Sequence, residues 1–243
     1  MCDPIQKTKT WYEEIYLHRG LDAQRRYPNE ELLRFMGRNY FGIPREDRKD
    51  IRILELGCGS CANLWMVARE GFSAYGLDLS TEAIRLGEIM LKNWMVEASL
   101  QVGSMKQLPY ENGHFNVVLD VFSAYCLDEA DFGQCLGEVA RVLKPGGCFF
   151  SYTPGKGSDA FQHLRPSRMI DASTLDGMKR SNSPFPNNDY PFRFVHPEEY
   201  RQVITSADMK VRYLETVRRS YFDRKEIFEH VVLEAEKQQG ESV

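Results

Sequence analysis

The chain alternates short apolar runs with longer stretches in which apolar residues recur every three or four positions. The apolar runs predict five strands, at 51–56, 74–79, 100–103, 117–122 and 148–152. The helical spacing predicts helices over 62–69, 80–94 and 128–143, with Ser80 as an N-cap and Lys144-Pro145-Gly146-Gly147 as the stop after the third. Such alternation is typical of an α/β protein whose mostly parallel sheet is covered on both faces.

Two segments flank this core. Before residue 51, apolar positions predict two helices broken at Tyr27-Pro28-Asn29. After the fifth strand, residues 155–195 are rich in Gly, Ser, Pro and Asn, and a loop this long within a compact domain is usually a lid or a binding segment. A helix at 197–206 and strands at 210–216 and 227–235 follow. We expect one domain over 1–243, with a helical lid (1–50), a core (51–154), a substrate cap (155–195) and the end of the sheet (196–236).

Composition excludes several classes of protein. A net charge of −4 over 243 residues leaves no basic surface for double-stranded nucleic acid as the main partner. No apolar run approaches the ~20 residues of a membrane span, and the opening MCDPIQKTKT lacks the apolar core of a signal peptide. Six cysteines scattered through apolar segments suit a reducing compartment. These features predict a cytoplasmic protein, as a monomer or a homodimer.

A glycine-paired turn follows the first strand. Gly57 and Gly59 stand where a Cβ would block a tight turn or a ligand, and Glu55 precedes them by two residues. Asp78 ends the second strand, about 20 residues later, where a carboxylate can accept hydrogen bonds from ribose hydroxyls. The layout predicts a nucleoside cofactor. The pattern Gly57-x-Gly59-x-x-Ala62 also satisfies the looser dinucleotide-binding fingerprint, so NAD is an alternative cofactor at this point.

Four motifs narrow that choice. They are ELGCGS at 55–60, GLDLS at 76–80, LPYENGHFNVV at 108–118 and EVARVLKPGG at 138–147. In this order and spacing they resemble the class I S-adenosylmethionine (SAM) dependent methyltransferases of small molecules, over residues 51–154. The resemblance implies a Rossmann-like seven-stranded sheet with an antiparallel last strand. It also implies SAM as methyl donor and S-adenosylhomocysteine as product. NAD-binding domains have no counterpart for the last two motifs.

The resemblance also implies cofactor contacts. Glu55 would anchor the methionine amino group, Asp78 the ribose hydroxyls, and Leu79 the adenine. The remaining predicted cofactor contacts are the turn residues Gly57, Cys58 and Gly59, the adenine-loop residues Ser104 and Met105, the strand-end residues Asp120 and Val121, and the cavity tyrosines Tyr16 and Tyr27. Ser104 stands where the family commonly has an acid, so its hydrogen bond to adenine would be weaker.

Catalysis of methyl transfer consists mostly of positioning, because the cofactor itself carries the electrophile. Where the acceptor bears a proton, His18 and His163 are the candidate bases, since they lie in the two flanking segments and histidine is the side chain whose ordinary pKa is near neutrality. A solvated surface histidine is the alternative for each. Tyr125 is a candidate to line the methyl-transfer cavity, which the tyrosines of the first segment and Phe185, Tyr190 and Phe192 of the second are expected to seal. The expected acceptor is a small molecule with an oxygen or nitrogen nucleophile.

Other functions stay open. An NAD-dependent oxidoreductase would leave the KPGG motif unexplained, and a protein of this fold could bind SAM as a regulator without turnover. Cys58 and Cys61 form a C-x-x-C pair that could be redox-active, but both positions call for small residues, which favours a packing role. No second ligand pair completes a zinc site, so no metal is expected.

Overall fold

A computed structural model describes residues 4–239. It contains one seven-stranded sheet in the order β3-β2-β1-β4-β5-β9-β8, and a separate two-stranded ladder of β6 and β7. The strands are β1 (Arg52–Leu56), β2 (Ser73–Asp78), β3 (Ser99–Val102), β4 (Phe115–Val121), β5 (Leu143–Pro154), β6 (Thr174–Leu175), β7 (Phe192–Arg193), β8 (Met209–Tyr221) and β9 (Glu226–Lys237). The first five pair in parallel, and β9 runs antiparallel to both β5 and β8. The predicted fold class is confirmed.

The central strands are apolar on both faces because helices cover both sides of the sheet. Leu54 packs with α5 (Glu129–Val142) and α7 (Pro197–Ser206) on one side. Ile53, its neighbour along β1, packs on the other side with α2 (Glu30–Asn39), α3 (Leu64–Arg69) and α4 (Thr81–Asn93). Both side chains are fully buried. The other two helices are α1 (Pro4–Arg19) and the short α6 (Asp159–Gln162).

Side-chain caps fix where three helices begin. Asn29 Oδ1 accepts hydrogen bonds from the backbone N–H groups of Glu31 and Leu32, which starts α2 directly after the predicted break. Ser80 caps α4 as predicted, through a 2.9 Å bond to the N–H of Ala83. Asp128 caps α5 in the same way.

Two predicted boundaries were wrong. The helix placed at 62–69 begins only at Leu64, because Cys61 takes a positive φ of 64° and extends the turn. The residues Lys144 to Gly147 do not separate α5 from β5; they belong to the strand. A register shift between Phe115 and Val117 on the neighbouring strand accommodates these additional residues.

The segment 155–195 is packed rather than loose. Leu175, Met178, Tyr190, Phe192 and Phe194 are each at most 2% exposed, and they form one cluster with Phe228 of β9. Trp11 of α1 packs against the same cluster. The composition suggested an open loop, but the aromatic residues among the Pro and Asn residues supply a core of their own.

Candidate active site

Two adjacent cavities lie at the carboxyl ends of β1, β2 and β4, the edge where open α/β sheets bind ligands. Their volumes are about 370 Å³ and about 70 Å³. They share five wall residues, namely Tyr12, Tyr16, Gln24, Gly57 and Phe122. The smaller cavity reaches Asp78 and the larger reaches Glu55. A single elongated ligand can therefore contact both carboxylates.

The glycine turn forms the floor between the cavities. Gly57 and Gly59 have φ values of +59° and +51°, a region that favours glycine. A Cβ on Gly57 would lie 2.5 Å from Cβ of Ser123, and one on Gly59 would collide with the side chains of Tyr16 and Gln24. Only glycine allows side chains or a ligand to approach the backbone this closely.

Asp78 ends β2 beside the smaller cavity. Its Oδ2 accepts a 2.8 Å hydrogen bond from the N–H of Gly59, and its Oδ1 accepts a 2.9 Å bond from the N–H of Ser80. Burial raises the pKa of this carboxyl group to about 6. Each oxygen keeps a lone pair for a hydroxyl donor. Leu79 and Met105 supply apolar wall next to it.

Glu55 is 2% exposed and faces the larger cavity. Its Oε1 accepts a 2.6 Å hydrogen bond from Nδ2 of Asn63, whereas Oε2 is buried with no partner in the described part of the chain. Burial raises the pKa of Glu55 to about 8. A buried carboxylate oxygen without a donor is costly, so this position suits a ligand that carries an N–H donor or a positive charge.

Three phenols on the wall of the larger cavity meet at their hydroxyl groups, and one of them, Tyr12, also lines the smaller cavity. The hydroxyl oxygens of Tyr12 and Tyr125 are 2.6 Å apart, those of Tyr125 and Tyr190 2.8 Å, and those of Tyr12 and Tyr190 3.2 Å. We call these three oxygens the hydroxyl triangle. Burial raises the pKa of Tyr12 and Tyr125 well above the ordinary value and that of Tyr190 to about 12, so all three are neutral at pH 7. Phe122 and Phe185 contribute two further aromatic walls.

Most of the predicted site residues are brought together here. Those on the cavity walls are Tyr16, Glu55, Gly57, Cys58, Asp78, Leu79, Met105, Val121 and Tyr125. Gly59 lies against Tyr16 and Gln24 beneath them. The carboxylate of Asp120 does not reach a ligand; it accepts hydrogen bonds from the N–H groups of Ser123 and Ala124 and from two serine hydroxyls, and so orders the loop after β4.

Four predicted residues lie elsewhere. Tyr27 is 65% exposed and its ring contacts Trp65 and Trp94, outside both cavities. Ser104 is not on either wall, and its Oγ accepts a bond from the N–H of Lys106. His18 and His163 are exposed and line neither cavity, since they occupy the ends of α1 and α6 where the chain faces solvent. The geometry therefore does not support either histidine as the base.

Tyr12, Phe185 and Tyr190, aromatic residues that the two flanking segments were expected to contribute, line the larger cavity, whereas Phe192 does not. The structure also adds wall residues that sequence reasoning missed, namely Trp11, Arg19, Gln24, Arg25, Asn63 and Phe122. Most of these belong to the first flanking segment, where nothing in the spacing marks them. Among the missed residues, Asn63 could have been predicted from the sequence, because it is a polar residue in the first turn after the glycines.

The C-x-x-C pair is inert in this setting. Cys58 and Cys61 are buried, and the contact with Cys61 together with burial raises the pKa of Cys58 well above its ordinary value. A reactive thiol requires the opposite shift. Cys2 lies outside the described residues. Over residues 4–239, no group of three or more His, Cys, Asp and Glu side chains is arranged to hold a metal ion. No helix in that range is long and apolar enough to cross a membrane.

Comparison with known proteins agrees with this architecture. A family model described as "Methyltransferase domain" matches residues 53–147. The fatty-acid O-methyltransferase of Mycolicibacterium smegmatis is 28% identical over 167 residues, covering 63% of this chain and 59% of that protein. A SAM-dependent methyltransferase structure from Methanosarcina mazei superposes with a TM-score of 0.65 at 21% identity, covering 77% of this chain and 92% of the other.

The flanks have structural counterparts too. The 1,6-didemethyltoxoflavin-N1-methyltransferase of Burkholderia thailandensis was solved with its substrate and S-adenosylhomocysteine bound. It superposes with a TM-score of 0.60 at 12% identity, covering 98% of this chain and 92% of that one. The chain spans about half the length of the curated relatives that it matches.

The fold and the glycine turn are those of a Rossmann-like protein. Residues 53–147 match a methyltransferase domain, and the chain shares the fold of SAM-dependent methyltransferases.

Proposed function

We propose that the protein binds SAM across the two cavities and transfers its methyl group to a small molecule in the aromatic end of the larger one. The observation that carries this proposal is the order of the polar groups along the space. Asp78 lies at one end, the glycine turn at the junction, and Glu55 with Asn63 beyond it. A nucleoside with an amino-acid tail presents hydroxyl donors and an ammonium group in the same order.

Each carboxylate has a distinct task in this arrangement. Asp78 accepts hydrogen bonds from the two ribose hydroxyls while the N–H groups of Gly59 and Ser80 hold it in place. Oε2 of Glu55 accepts from the methionine amino group, which supplies the donor that this oxygen lacks. Leu79 and Met105 pack on the adenine.

The reaction then depends on position and on exclusion of water. Bound SAM supplies an electrophilic methyl group on a sulfonium. The aromatic walls, which include Phe122, Tyr125 and Phe185, hold the acceptor in line with that methyl group and keep water away from it. The cavity volume of about 370 Å³, part of which the cofactor tail would fill, limits the acceptor to a small molecule.

A two-stage experiment tests the proposal. Isothermal calorimetry should show micromolar or tighter binding of SAM and S-adenosylhomocysteine, and none of NAD. Release of S-adenosylhomocysteine is then followed over a panel of small amines, phenols, alcohols and carboxylic acids. Binding of NAD in place of SAM would contradict the cofactor assignment. Binding of SAM without turnover on any member of the panel would instead favour a regulatory protein.

A further inference from the structure

The hydroxyl triangle constrains the chemistry of the acceptor beyond its size. Three phenols own three hydroxyl hydrogens, and the three contacts between their oxygens require one hydrogen each. All the donors are consumed inside the triangle. The face that it presents to the cavity therefore consists of oxygen lone pairs, and a ligand group that meets it has to donate a hydrogen bond.

The three phenols are neutral, which strengthens the requirement for a hydrogen-bond donor on the ligand. Burial and the neighbouring phenols raise the pKa values of Tyr12 and Tyr125, so ionising any one of the three is unfavourable. The ring of Phe122 lies 4.6 Å from the ring of Tyr125 and 4.6 Å from that of Phe185, so further aromatic rings adjoin the triangle on the cavity wall. Ring faces and lone pairs both attract positive charge and repel a carboxylate.

The hydroxyl groups of the triangle have no cation among their hydrogen-bond partners within residues 4–239; they bond only to one another. Lys9 lines the smaller cavity together with Asp78. Arg19 is seven residues beyond Tyr12 on α1, which places its Cα about 10 Å further along the helix axis. Arg25 acts on Glu55, where it opposes part of the rise in pKa that burial causes. A carboxylate acceptor would therefore meet oxygen lone pairs at the triangle, whereas an N–H group would meet hydrogen-bond acceptors.

A protein base is also missing from this end. Among the described residues on the wall of the larger cavity, Glu55 is the only carboxylate, and no histidine is present. An alcohol has to lose its proton to become a good nucleophile, which the neutral phenols do not promote. A neutral amine attacks with its own lone pair and needs no base before the transfer.

We infer that the acceptor is a flat, apolar amine bearing an N–H, a conclusion that rests on the proposed methyl transfer. The nitrogen lone pair forms the N–CH3 bond while the S–CH3 bond breaks, and the electron pair of that bond stays on sulfur as the thioether. The positive charge passes to nitrogen, which faces the triangle and the aromatic walls, and the N–H proton is lost to water after the transfer. Tyr12, Tyr125 and Tyr190 position the nitrogen through its hydrogen.

Three probes that share one flat ring system test the inference on the full-length protein saturated with S-adenosylhomocysteine. They are 1-naphthylamine, whose nitrogen is neutral at pH 8, the alcohol analogue 1-naphthol, and 1-naphthoate. Calorimetry at pH 8 should show the amine binding at least about tenfold more tightly than the carboxylate, with the alcohol between them. With SAM in place of the product, only the amine should gain a methyl group at an appreciable rate.

Two variants separate positioning from packing. In Tyr12→Phe/Tyr190→Phe the preference for the amine should shrink to about twofold, while the affinity for S-adenosylhomocysteine stays unchanged. Tyr40→Phe, at a half-buried phenol that packs against Phe72 on the other face of the sheet, is the matched control and should keep the full preference. If the double variant does not fold, Tyr190→Phe alone should still halve the preference or reduce it further.

The outcomes divide cleanly. Tightest binding by the carboxylate, a preference that survives in the tyrosine variants, faster methylation of the alcohol, or no binding of any probe would each overturn the inference. In all of those cases, normal binding of S-adenosylhomocysteine would leave the proposed cofactor function standing. Failure to bind S-adenosylhomocysteine would instead reject the proposed function itself.

Discussion

The two ends of the cavity are built in different ways. The cofactor end depends on residues within one stretch of the core, from Glu55 through the glycine turn to Asp78, and each is held by backbone N–H groups or by Asn63. The aromatic end is assembled from three distant segments, represented by Tyr12, Tyr125 and Tyr190. Carboxyl groups held by local hydrogen bonds bind an unvarying cofactor, whereas rings from separate segments can change with the acceptor and leave the cofactor site intact.

The largest expected effect falls on the cofactor end. Asp78→Ala should weaken SAM binding by about a hundredfold or more, because two hydrogen bonds to a carboxylate contribute about 1.5–3 kcal/mol each. Calorimetry measures the change. Glu111→Ala, at an exposed carboxylate, is the control. An unchanged dissociation constant in the Asp78 variant would move the cofactor to another site.

Substitution of Glu55 tests whether this buried carboxyl group, which we propose binds SAM, makes the ligand-free protein less stable. Its folded pKa of about 8 lies above the ordinary value of 4.5, so its stabilising contribution is full below pH 4.5 and is lost as the pH rises towards 8. Glu55→Gln should therefore unfold at a higher temperature than the parent at pH 8.5, by the equivalent of about 2 kcal/mol, and nearly together with it at pH 4.5. The same variant should bind SAM less tightly. Thermal unfolding of the ligand-free proteins at both pH values measures the difference, and an equal effect at the two would contradict the assignment.

Phe185→Ala should separate the two ends. Its ring lies 4.6 Å from that of Phe122 and 5.0 Å from that of Phe228, so its loss opens the aromatic wall. We expect kcat/KM for the acceptor to fall about tenfold, while SAM affinity changes less than twofold. Steady-state kinetics and calorimetry on one preparation give both values. A matching loss of SAM affinity would mean that the two ends are not independent.

The smallest effect is expected at the C-x-x-C pair. Cys58→Ala/Cys61→Gly should keep activity within about twofold, because neither buried thiol carries chemistry and Cys61 already adopts a φ that suits glycine. Activity assays of the parent and the double variant, with and without a mild oxidant, measure the effect. Sensitivity to oxidant that disappears in the double variant would restore a redox role.

The sequence predicted the fold and most of the cofactor end because those signals are local. Strand periodicity, the glycines and Asp78 fall within short windows whose geometry follows from backbone rules. On the aromatic side, the sequence pointed to Tyr125, Phe185, Tyr190 and the tyrosines of the first segment. It did not give their mutual contacts, because residues such as Tyr12 and Tyr190 lie 178 positions apart in the chain. His18 and His163 were proposed as bases from residue type and segment alone, and the structure leaves both exposed and outside the two cavities, because exposure depends on tertiary packing.

The burial of residues in the segment 155–195 decides which variants can test its role. Composition predicted a lid or binding segment at 155–195 that serves as a substrate cap. Because Leu175, Met178 and Phe194 are buried against Phe228, removing the segment would expose a core rather than open a lid. Point substitutions such as Phe185→Ala are therefore the sharper tools, and the role of the segment as a cap stays a prediction.

A crystal structure of the complex with S-adenosylhomocysteine tests the central claim most directly. The ribose hydroxyls should lie within about 3 Å of the Asp78 carboxylate and the amino group within about 3 Å of Oε2 of Glu55. The sulfur should face the hydroxyl triangle across the space left for the acceptor. A ligand bound outside the two cavities, or a sulfur turned away from Tyr12, Tyr125 and Tyr190, would contradict the division of the cavity into a cofactor end and an acceptor end.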